Sequence, residues 1–163
     1  MLKALGGLLV LSGGGIAWVL RRRERRRQRE ATAELARALR RMGEEIRMAR
    51  TPMPRLLASL AADCGTEVSA LFLASAEAAA GGEDLIGAWR RGTEALPLAP
   101  RDRETLRALD LRGDAEHLGG ELALAVRRLQ DSLEELERRH PEEDKRTAAL
   151  CFSAAALLVI LLI

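Results

Sequence analysis

Two apolar segments at the ends of the chain constrain its architecture more than any other feature. Residues 2–20 carry a single charge, Lys3, and residues 147–163 carry none. A hydrocarbon core about 30 Å thick is crossed by roughly 17 to 25 helical residues, so each segment is long enough to span a membrane. A helix with no polar face would otherwise have to be surrounded by protein, which a small domain rarely provides. The sequence therefore predicts two transmembrane helices that border a charged segment, residues 21–146.

The first apolar segment has two possible roles. Its N-terminal position after Lys3 also fits a cleaved signal peptide. However, it runs directly into RRRERRRQR, residues 21–29, without a small-x-small cleavage site beyond the apolar region. The favoured interpretation is an uncleaved signal anchor over residues 2–20, and cleavage stays open.

Basic residues beside the two apolar segments predict their orientation. Seven of the nine residues from 21 to 29 are arginine, and Lys145 and Arg146 precede the second segment. Basic residues concentrate on the cytoplasmic side of membrane spans. We therefore expect both termini outside the cell membrane and residues 21–146 in the cytoplasm.

The arginine run could bind either anionic lipid or nucleic acid. Single-stranded nucleic-acid sites commonly combine basic residues with aromatic side chains that stack on the bases. No aromatic residue is interleaved with this run. Its position beside a predicted span favours lipid headgroups, where each charge contributes about 1 kcal/mol. We expect membrane lipids, and not nucleic acid, as its partner. The residues assigned to the membrane surface are Arg21, Arg22, Arg23, Arg25, Arg26, Arg27 and Arg29.

Motifs for catalysis or cofactor binding are missing from the sequence. There is no G-x-x-x-x-G-K-[ST], so no P-loop is expected. His117 and His140 lie far apart in the sequence, and His117 with Glu121 supplies two ligands, which do not make a metal site. Cys64 and Cys151 fall in the predicted cytoplasmic and membrane segments, so they are not expected to pair. The sequence predicts a non-enzymatic protein with no catalytic residues, metal, cofactor or small-molecule substrate.

Helical periodicity covers the segment between the apolar ends. Leu35, Leu39, Met42 and Ile46 form one helical stripe, which predicts that the first long helix continues as far as Thr51. A last long helix is expected from about Asp114 towards the second apolar segment. Shorter helices are predicted near residues 52–64, 66–80, 83–96 and 101–111. The predicted fold class is all-α: a membrane-anchored helical bundle whose two long helices carry the spans, with about four short helices between them.

The sequence TPMP, residues 51–54, predicts a sharp corner between the first two helices. Proline at the first helical position loses no intrahelical hydrogen bond, so Thr51 is the expected N-cap and Pro52 the first helical residue. Met53 is a candidate core residue. The corner either has a purely structural role or forms a partner contact together with Glu45. Burial of Glu45 and Pro54 would favour the first interpretation, and their exposure the second.

Taken in order along the chain, these features resemble the stage III sporulation protein AB family over the full length. The sharpest part is Glu45-Ile46 followed by TPMP and Leu56-Leu57, which is similar to that family's E-I…T-P-L-P…A-L signature with methionine for leucine. The residues proposed as a partner contact or family signature are Glu45, Ile46, Thr51, Pro52, Pro54 and Trp89.

The chain also departs from the pattern of that family ahead of the last helix. Where the family has L-G-x-x-D-x-x-x-Q, this chain keeps the aspartate as Asp114. It has Asp110 and Leu111 in place of leucine and glycine, and Leu118 in place of glutamine. Any contact that the family makes through that glutamine is therefore in doubt here.

The resemblance implies a location, partners and a function. It implies the mother-cell membrane around the forespore and a channel or secretion-like assembly that includes other stage III sporulation proteins. It also implies a distant likeness to the cytoplasmic domains of platform proteins of type II secretion and type IV pilus systems. A secretion-type ATPase, stage III sporulation protein AA, is the implied cytoplasmic partner, and the implied mechanism is mechanical coupling or assembly. A generic membrane-anchored scaffold or signalling receptor for a cytoplasmic partner is the alternative.

Overall fold

The computed structural model describes the backbone of residues 2–48 and 51–162 and the side chains of residues 19–48 and 51–138. Within these residues the chain forms six α-helices and no strand, which confirms the predicted all-α class. The helices are α1 (Leu2–Met48), α2 (Met53–Ala62), α3 (Thr66–Gly81), α4 (Leu85–Ala95), α5 (Pro100–Arg107) and α6 (Ala115–Leu162). Four short helices between two long ones match the predicted order of elements.

The chain divides into two compact units. The first, residues 27–133, holds the four short helices together with the adjoining parts of α1 and α6. The second comprises the N-terminal part of α1 and the C-terminal part of α6.

A single hydrophobic core fills the unit of residues 27–133. The predicted stripe of α1 is buried at Leu35, Leu39 and Met42, while Ile46 is half-buried against the same core. The core also receives Leu56, Leu57 and Leu60 from α2, Val68, Leu71 and Phe72 from α3, and Leu118, Leu122 and Leu129 from α6. Burial of one such side chain contributes about 1.5 to 3 kcal/mol. Packing therefore stabilises the short helices, which would be marginal in isolation.

The corner at residues 51–54 begins its helix one residue later than predicted. The N-cap is Pro52, whose carbonyl oxygen accepts hydrogen bonds from the N–H groups of Arg55 and Leu56, both at 3.0 Å. Thr51 makes no capping hydrogen bond to α2. A capping Thr51 side chain would accept a hydrogen bond from the N–H of the second or third helical residue. Pro54 would be the third of these residues, and proline has no N–H. Met53 is half-buried against the core, as expected.

Most other helix ends lie within two residues of their predicted positions. Gly82 adopts φ +70° after α3, a left-handed conformation that favours glycine. Asp114 caps α6, since its Oδ1 accepts the N–H of His117 at 2.8 Å. However, α5 ends at Arg107 instead of continuing to Leu111. Leu109 and Leu111 are buried although they lie in a non-helical segment, so the core covers this part of the chain without a further helical turn.

Among the residues that the structure describes, no helix is both long and apolar enough to cross a membrane. The two predicted spans, residues 2–20 and 147–163, fall almost wholly outside the residues whose side chains are described, and they stay predictions. The backbone of α6 remains helical through Pro141, so this proline neither ends the helix nor starts a new one. Proline removes only one hydrogen bond from a helix of 48 residues.

Candidate interaction surface

Trp89 of α4 lies in the core of the bundle. Its side chain is fully buried, and its Nε1–H donates a hydrogen bond to the carbonyl oxygen of Leu106 at 2.8 Å. Its ring lies 5.8 Å from that of Phe72, centroid to centroid, at an interplanar angle of 60°. A residue without exposed surface cannot touch a partner, so the proposed partner contact at Trp89 is wrong. Trp89 instead joins α3, α4 and α5.

A buried carboxylate links α5 to α6. Asp102 is only 1% exposed, and its Oδ2 accepts a hydrogen bond from the Ser132 hydroxyl at 2.9 Å. On the exposed side of α5, Arg107 pairs with Glu94 of α4 at 2.9 Å. Asp102 thus lies in the interior of the fold, and the half-buried Ser132 holds it against α6.

Three polar contacts join α1 to the connection between α2 and α3 and to the first turn of α3, and we call them the polar seam. Arg27 pairs with Glu67, Glu34 accepts the N–H of Gly65 at 3.0 Å, and Arg41 pairs with Asp63. The three α1 residues are spaced by seven, so they lie on one helix face. Exposed pairs of this kind contribute about 0 to 1 kcal/mol each. The polar seam therefore specifies how α1 lies against α2 and α3, while the core supplies the stability.

Cys64 lies in a shallow groove beside the polar seam. The groove has a cavity volume of about 320 Å³ and is lined by Glu34, Arg37, Ala38, Arg41, Leu60, Asp63 and Cys64. Burial raises the pKa of the Cys64 thiol, Glu34 raises it further, and Arg37 and Arg41 oppose the rise. The thiolate is the reactive form of cysteine, so this thiol is poorly reactive at neutral pH.

Two substitutions test the electrostatics of this groove through the alkylation rate of Cys64. In a Cys151→Ser background, we expect Glu34→Gln to lower the pKa of the thiol and to speed alkylation by iodoacetamide at pH 8. Arg41→Gln should raise the pKa and slow alkylation. Each change should be less than about tenfold, since burial is the larger cause of the shift. Faster alkylation in both variants would contradict this account, because it would indicate local opening.

The corner residues are neither fully buried nor fully exposed. Thr51 and Pro54 are half-buried and Pro52 is exposed, while Glu45 and Ile46 on α1 are half-buried. Exposure therefore does not separate a structural from a contact role for the corner.

The structure adds a residue that the sequence pattern did not single out. Met48, at the end of α1, is 84% exposed.

The seven arginines between residues 21 and 29 are all exposed. Arg27 pairs with Glu67 in the polar seam. The run thus presents positive charge at the surface of α1, and its binding to lipid stays a prediction.

No group of three potential ligands that could hold a metal ion occurs among the described side chains. His117 lies 3.2 Å from Glu121 on an exposed face of α6. The second oxygen of Glu121 accepts the N–H of Asp110 at 3.0 Å. This carboxylate therefore braces the segment that precedes α6, and the side chain of His140 falls outside the described residues.

The described part of the chain thus defines a helical bundle of four short helices held between two long ones, with a charged surface and an apolar corner. The family model for stage III sporulation protein AB matches residues 3–163. The chain belongs to the stage III sporulation protein AB family.

A solved structure of stage III sporulation protein AB is similar in fold. Its sequence is 22% identical to that of this chain, and the two structures superpose with a TM-score of 0.62. The match covers 70% of this chain and 96% of the solved structure. At that identity the likeness shows the fold alone. Comparison with curated proteins gives no match.

Proposed function

We propose that the protein is a non-enzymatic membrane platform in the stage III sporulation assembly between mother cell and forespore. In this proposal, residues 2–20 and 147–163 cross the mother-cell membrane, both termini lie outside, and residues 21–146 face the cytoplasm. The helical bundle binds a secretion-type ATPase, stage III sporulation protein AA, and transmits mechanical force or holds the assembly together. The observation that carries the proposal is the family match over residues 3–163.

Two features of the chain support a platform. The unit of residues 27–133 has one continuous core that includes parts of both long helices, so a force applied to a short helix would be transmitted to α1 and α6. The polar seam further fixes the position of α1 against α2 and α3. A rigid body of this kind suits mechanical coupling, which needs no bond chemistry.

The corner is the proposed contact for the ATPase. Apolar side chains exposed at a surface can serve as the anchors of a contact with a partner. Met48 and Pro52 are exposed there, and Glu45 and Pro54 keep part of their surface. A partner that covers Met48 and Pro52 would bury the apolar surface that the bundle leaves open at this end of α1.

Co-purification with the ATPase tests the proposed partner. Full-length protein in mild detergent should retain stage III sporulation protein AA through purification. Loss of the ATPase while the circular dichroism spectrum remains helical would contradict the proposal. The location is tested separately with reporter fusions at both termini, and a cytoplasmic signal from each would contradict the proposed topology.

Substitutions at the corner should weaken this interaction without unfolding the bundle. We expect Met48→Glu with Pro52→Glu to reduce the affinity for the ATPase by about tenfold or more, the effect of losing a buried apolar anchor. The unfolding temperature should not change, because both side chains are exposed. Leu73→Glu with Leu124→Glu is the matched control, since these leucines of α3 and α6 are also exposed. Equal loss of affinity in the two variants would contradict a specific contact at the corner.

A further inference from the structure

The outer side of α3 is largely apolar, like the side that packs into the bundle. Leu73 is 46% exposed, and Ala70, Ala74 and Ala80 on the same side are also exposed. Glu77 adds one negative charge in the middle of this strip. A helix that is hydrophobic on all sides is generally covered on all sides. We call these five residues the α3 face, and the bundle itself leaves it open.

A second exposed apolar strip lies on α6. Leu124 is 51% exposed, and Gly120 and Ala123 beside it are exposed as well. Arg127 is exposed one turn further along. Spacings of three and four residues place these four residues on one side of the helix, and we call them the α6 face. The α6 face thus carries a positive charge where the α3 face carries a negative one.

The two faces lie on opposite sides of the bundle. Helix α3 packs against α2 and α4, and α4 packs against α5. Helix α5 reaches α6 through the hydrogen bond between Ser132 and Asp102. On the other side, α1 lies between them, since it pairs with α3 at Glu67 and approaches α6 at Gly43, where a Cβ would lie 3.9 Å from Leu122. A partner on one face therefore leaves the other face open.

Helices α3 and α6 run in opposite directions. Residues 27 of α1 and 133 of α6 lie at the same end of the bundle, because the segments beyond them belong to one compact unit. Helix α6 therefore runs towards this end. The pair between Arg27 and Glu67 places the first turn of α3 at the same end, so α3 runs away from it.

The charges and the apolar residues of the two faces lie at matching heights in the bundle. Measured along α3 from its pair with Arg27, Glu77 lies about 15 Å and Ala80 about 20 Å from this end. Measured through the contact of α1 with α6, Arg127 lies about 17 Å and Leu124 about 21 Å from it. Among the described side chains, neither Glu77 nor Arg127 has an ion-pair partner. Two copies side by side would thus bring opposite charges together.

We propose that copies of this protein associate head to tail, with the α3 face of one copy against the α6 face of the next. Glu77 pairs with Arg127 of the next copy, and Leu124 packs on Ala80. Leu73, one turn from Glu77, covers the hydrocarbon part of the Arg127 side chain. Each copy keeps one free face, so the contact builds rows or closed rings and does not stop at a dimer.

The inference rests on the proposed membrane anchoring and adds a second copy of the chain as a partner. Copies anchored in one membrane differ by a rotation about the membrane normal, so they share the same direction and height. Helix α3 of one copy then lies antiparallel to α6 of the next. Two α3 faces brought together in the same membrane would instead oppose Glu77 with Glu77, which disfavours a symmetric dimer.

The size of the contact indicates where it forms. Helix α3 has 16 residues and extends about 24 Å. One helix face of this length is smaller than the roughly 800 Å² per partner of a stable interface between soluble proteins. Confinement to a membrane raises the effective concentration of the copies, so we expect the association in vesicles.

Paired cysteines test the head-to-tail arrangement. The full-length chain with Ala80→Cys and Leu124→Cys, in a Cys64→Ser, Cys151→Ser background, is reconstituted in phospholipid vesicles and treated with a short bismaleimide. We expect a ladder of dimers, trimers and larger products on a denaturing gel, and monomer from each single-cysteine variant. Ala80→Cys with Ala95→Cys, an exposed position of α4 outside both faces, is the control and should give at least fivefold less product.

Three results of this experiment would overturn the proposal. Dimers from Ala80→Cys alone would show that two α3 faces meet. Equal ladders from the two paired-cysteine proteins would indicate random collision. Monomer in every sample would show that the copies do not associate.

Charge exchange tests the pairing of Glu77 with Arg127. In the Ala80→Cys, Leu124→Cys protein, Glu77→Arg or Arg127→Glu alone should reduce the ladder at least threefold, because each opposes like charges. Both substitutions together should restore it to within about twofold. The unfolding temperature should not change, since both side chains are exposed. A combined variant with no more product than the single variants would overturn the proposed pairing.

The same vesicles separate this inference from the proposed function. Protein that washes off at alkaline pH contradicts the membrane anchoring. Protein that resists the wash but gives no ladder supports anchoring and overturns head-to-tail association. The corner belongs to neither face, so Glu77→Arg should retain binding of the ATPase while it loses the ladder.

Discussion

Replacing Gly92 with alanine should destabilise the bundle by about 1 to 3 kcal/mol, the cost of overpacking a tight core. A Cβ at this position of α4 would lie 2.5 Å from Leu71 Cδ1 and 3.3 Å from the Leu71 Cα. The side chain of Leu71 is buried, which restricts its alternative rotamers, and the second contact involves the backbone of α3. The two helices would have to separate. The midpoint of urea unfolding, followed by circular dichroism of the full-length protein in detergent, measures the effect.

Gly120→Ala provides the matched control with the opposite expected sign. A Cβ at Gly120 in α6 would meet no atom within 4 Å. Alanine is favoured over glycine in a helix interior by about 0.8 to 1 kcal/mol, so this variant should be more stable than the parent protein. A Gly92→Ala protein as stable as Gly120→Ala would contradict the close approach of α3 and α4.

Trp89→Ala should have a still larger effect, a loss of about 3 to 5 kcal/mol. The substitution empties the space beside Phe72 and removes the donor to the carbonyl oxygen of Leu106. Since small domains are stable by only about 5 to 15 kcal/mol, this loss removes a large fraction of the free energy of unfolding. Thermal unfolding followed by circular dichroism measures this loss.

Two further variants divide the contribution of Trp89 between packing and hydrogen bonding. Trp89→Phe keeps an aromatic ring beside Phe72 but loses the hydrogen bond, so we expect a loss of about 1 to 3 kcal/mol. Leu73→Ala, at an exposed position of α3, should change stability by less than about 0.5 kcal/mol. A Trp89→Ala protein no less stable than Leu73→Ala would contradict the burial of the indole ring.

The architecture was largely predictable from the sequence because its signals are local. The stripe of Leu35, Leu39 and Met42 and the glycine that ends α3 each act within a few residues of the chain. The details that were missed have two different causes. Pro54 lacks an N–H that a Thr51 cap would use, so α2 begins after Pro52. The early end of α5 reflects Leu109 and Leu111, which pack against the core without helical structure.

The candidate surface was less predictable than the fold. The likeness to a family signature suggested a partner contact at Trp89, and the burial of this side chain leaves no surface for it. The polar seam left a visible signal, since Arg27, Glu34 and Arg41 recur at seven-residue spacing. Their partners at Asp63, Gly65 and Glu67 run in the opposite order and could not be assigned without the fold. Close approach at Gly92 gave no sequence signal.

Binding of the secretion-type ATPase to the membrane-embedded protein tests the central claim most directly. The full-length chain is placed in phospholipid nanodiscs and titrated with purified stage III sporulation protein AA, and the bound fraction is measured by biolayer interferometry. We expect saturable binding that is weakened by Met48→Glu with Pro52→Glu and unchanged by Leu73→Glu with Leu124→Glu. Absence of binding to nanodiscs whose protein unfolds cooperatively, and is therefore folded, would contradict the proposed role as an ATPase platform.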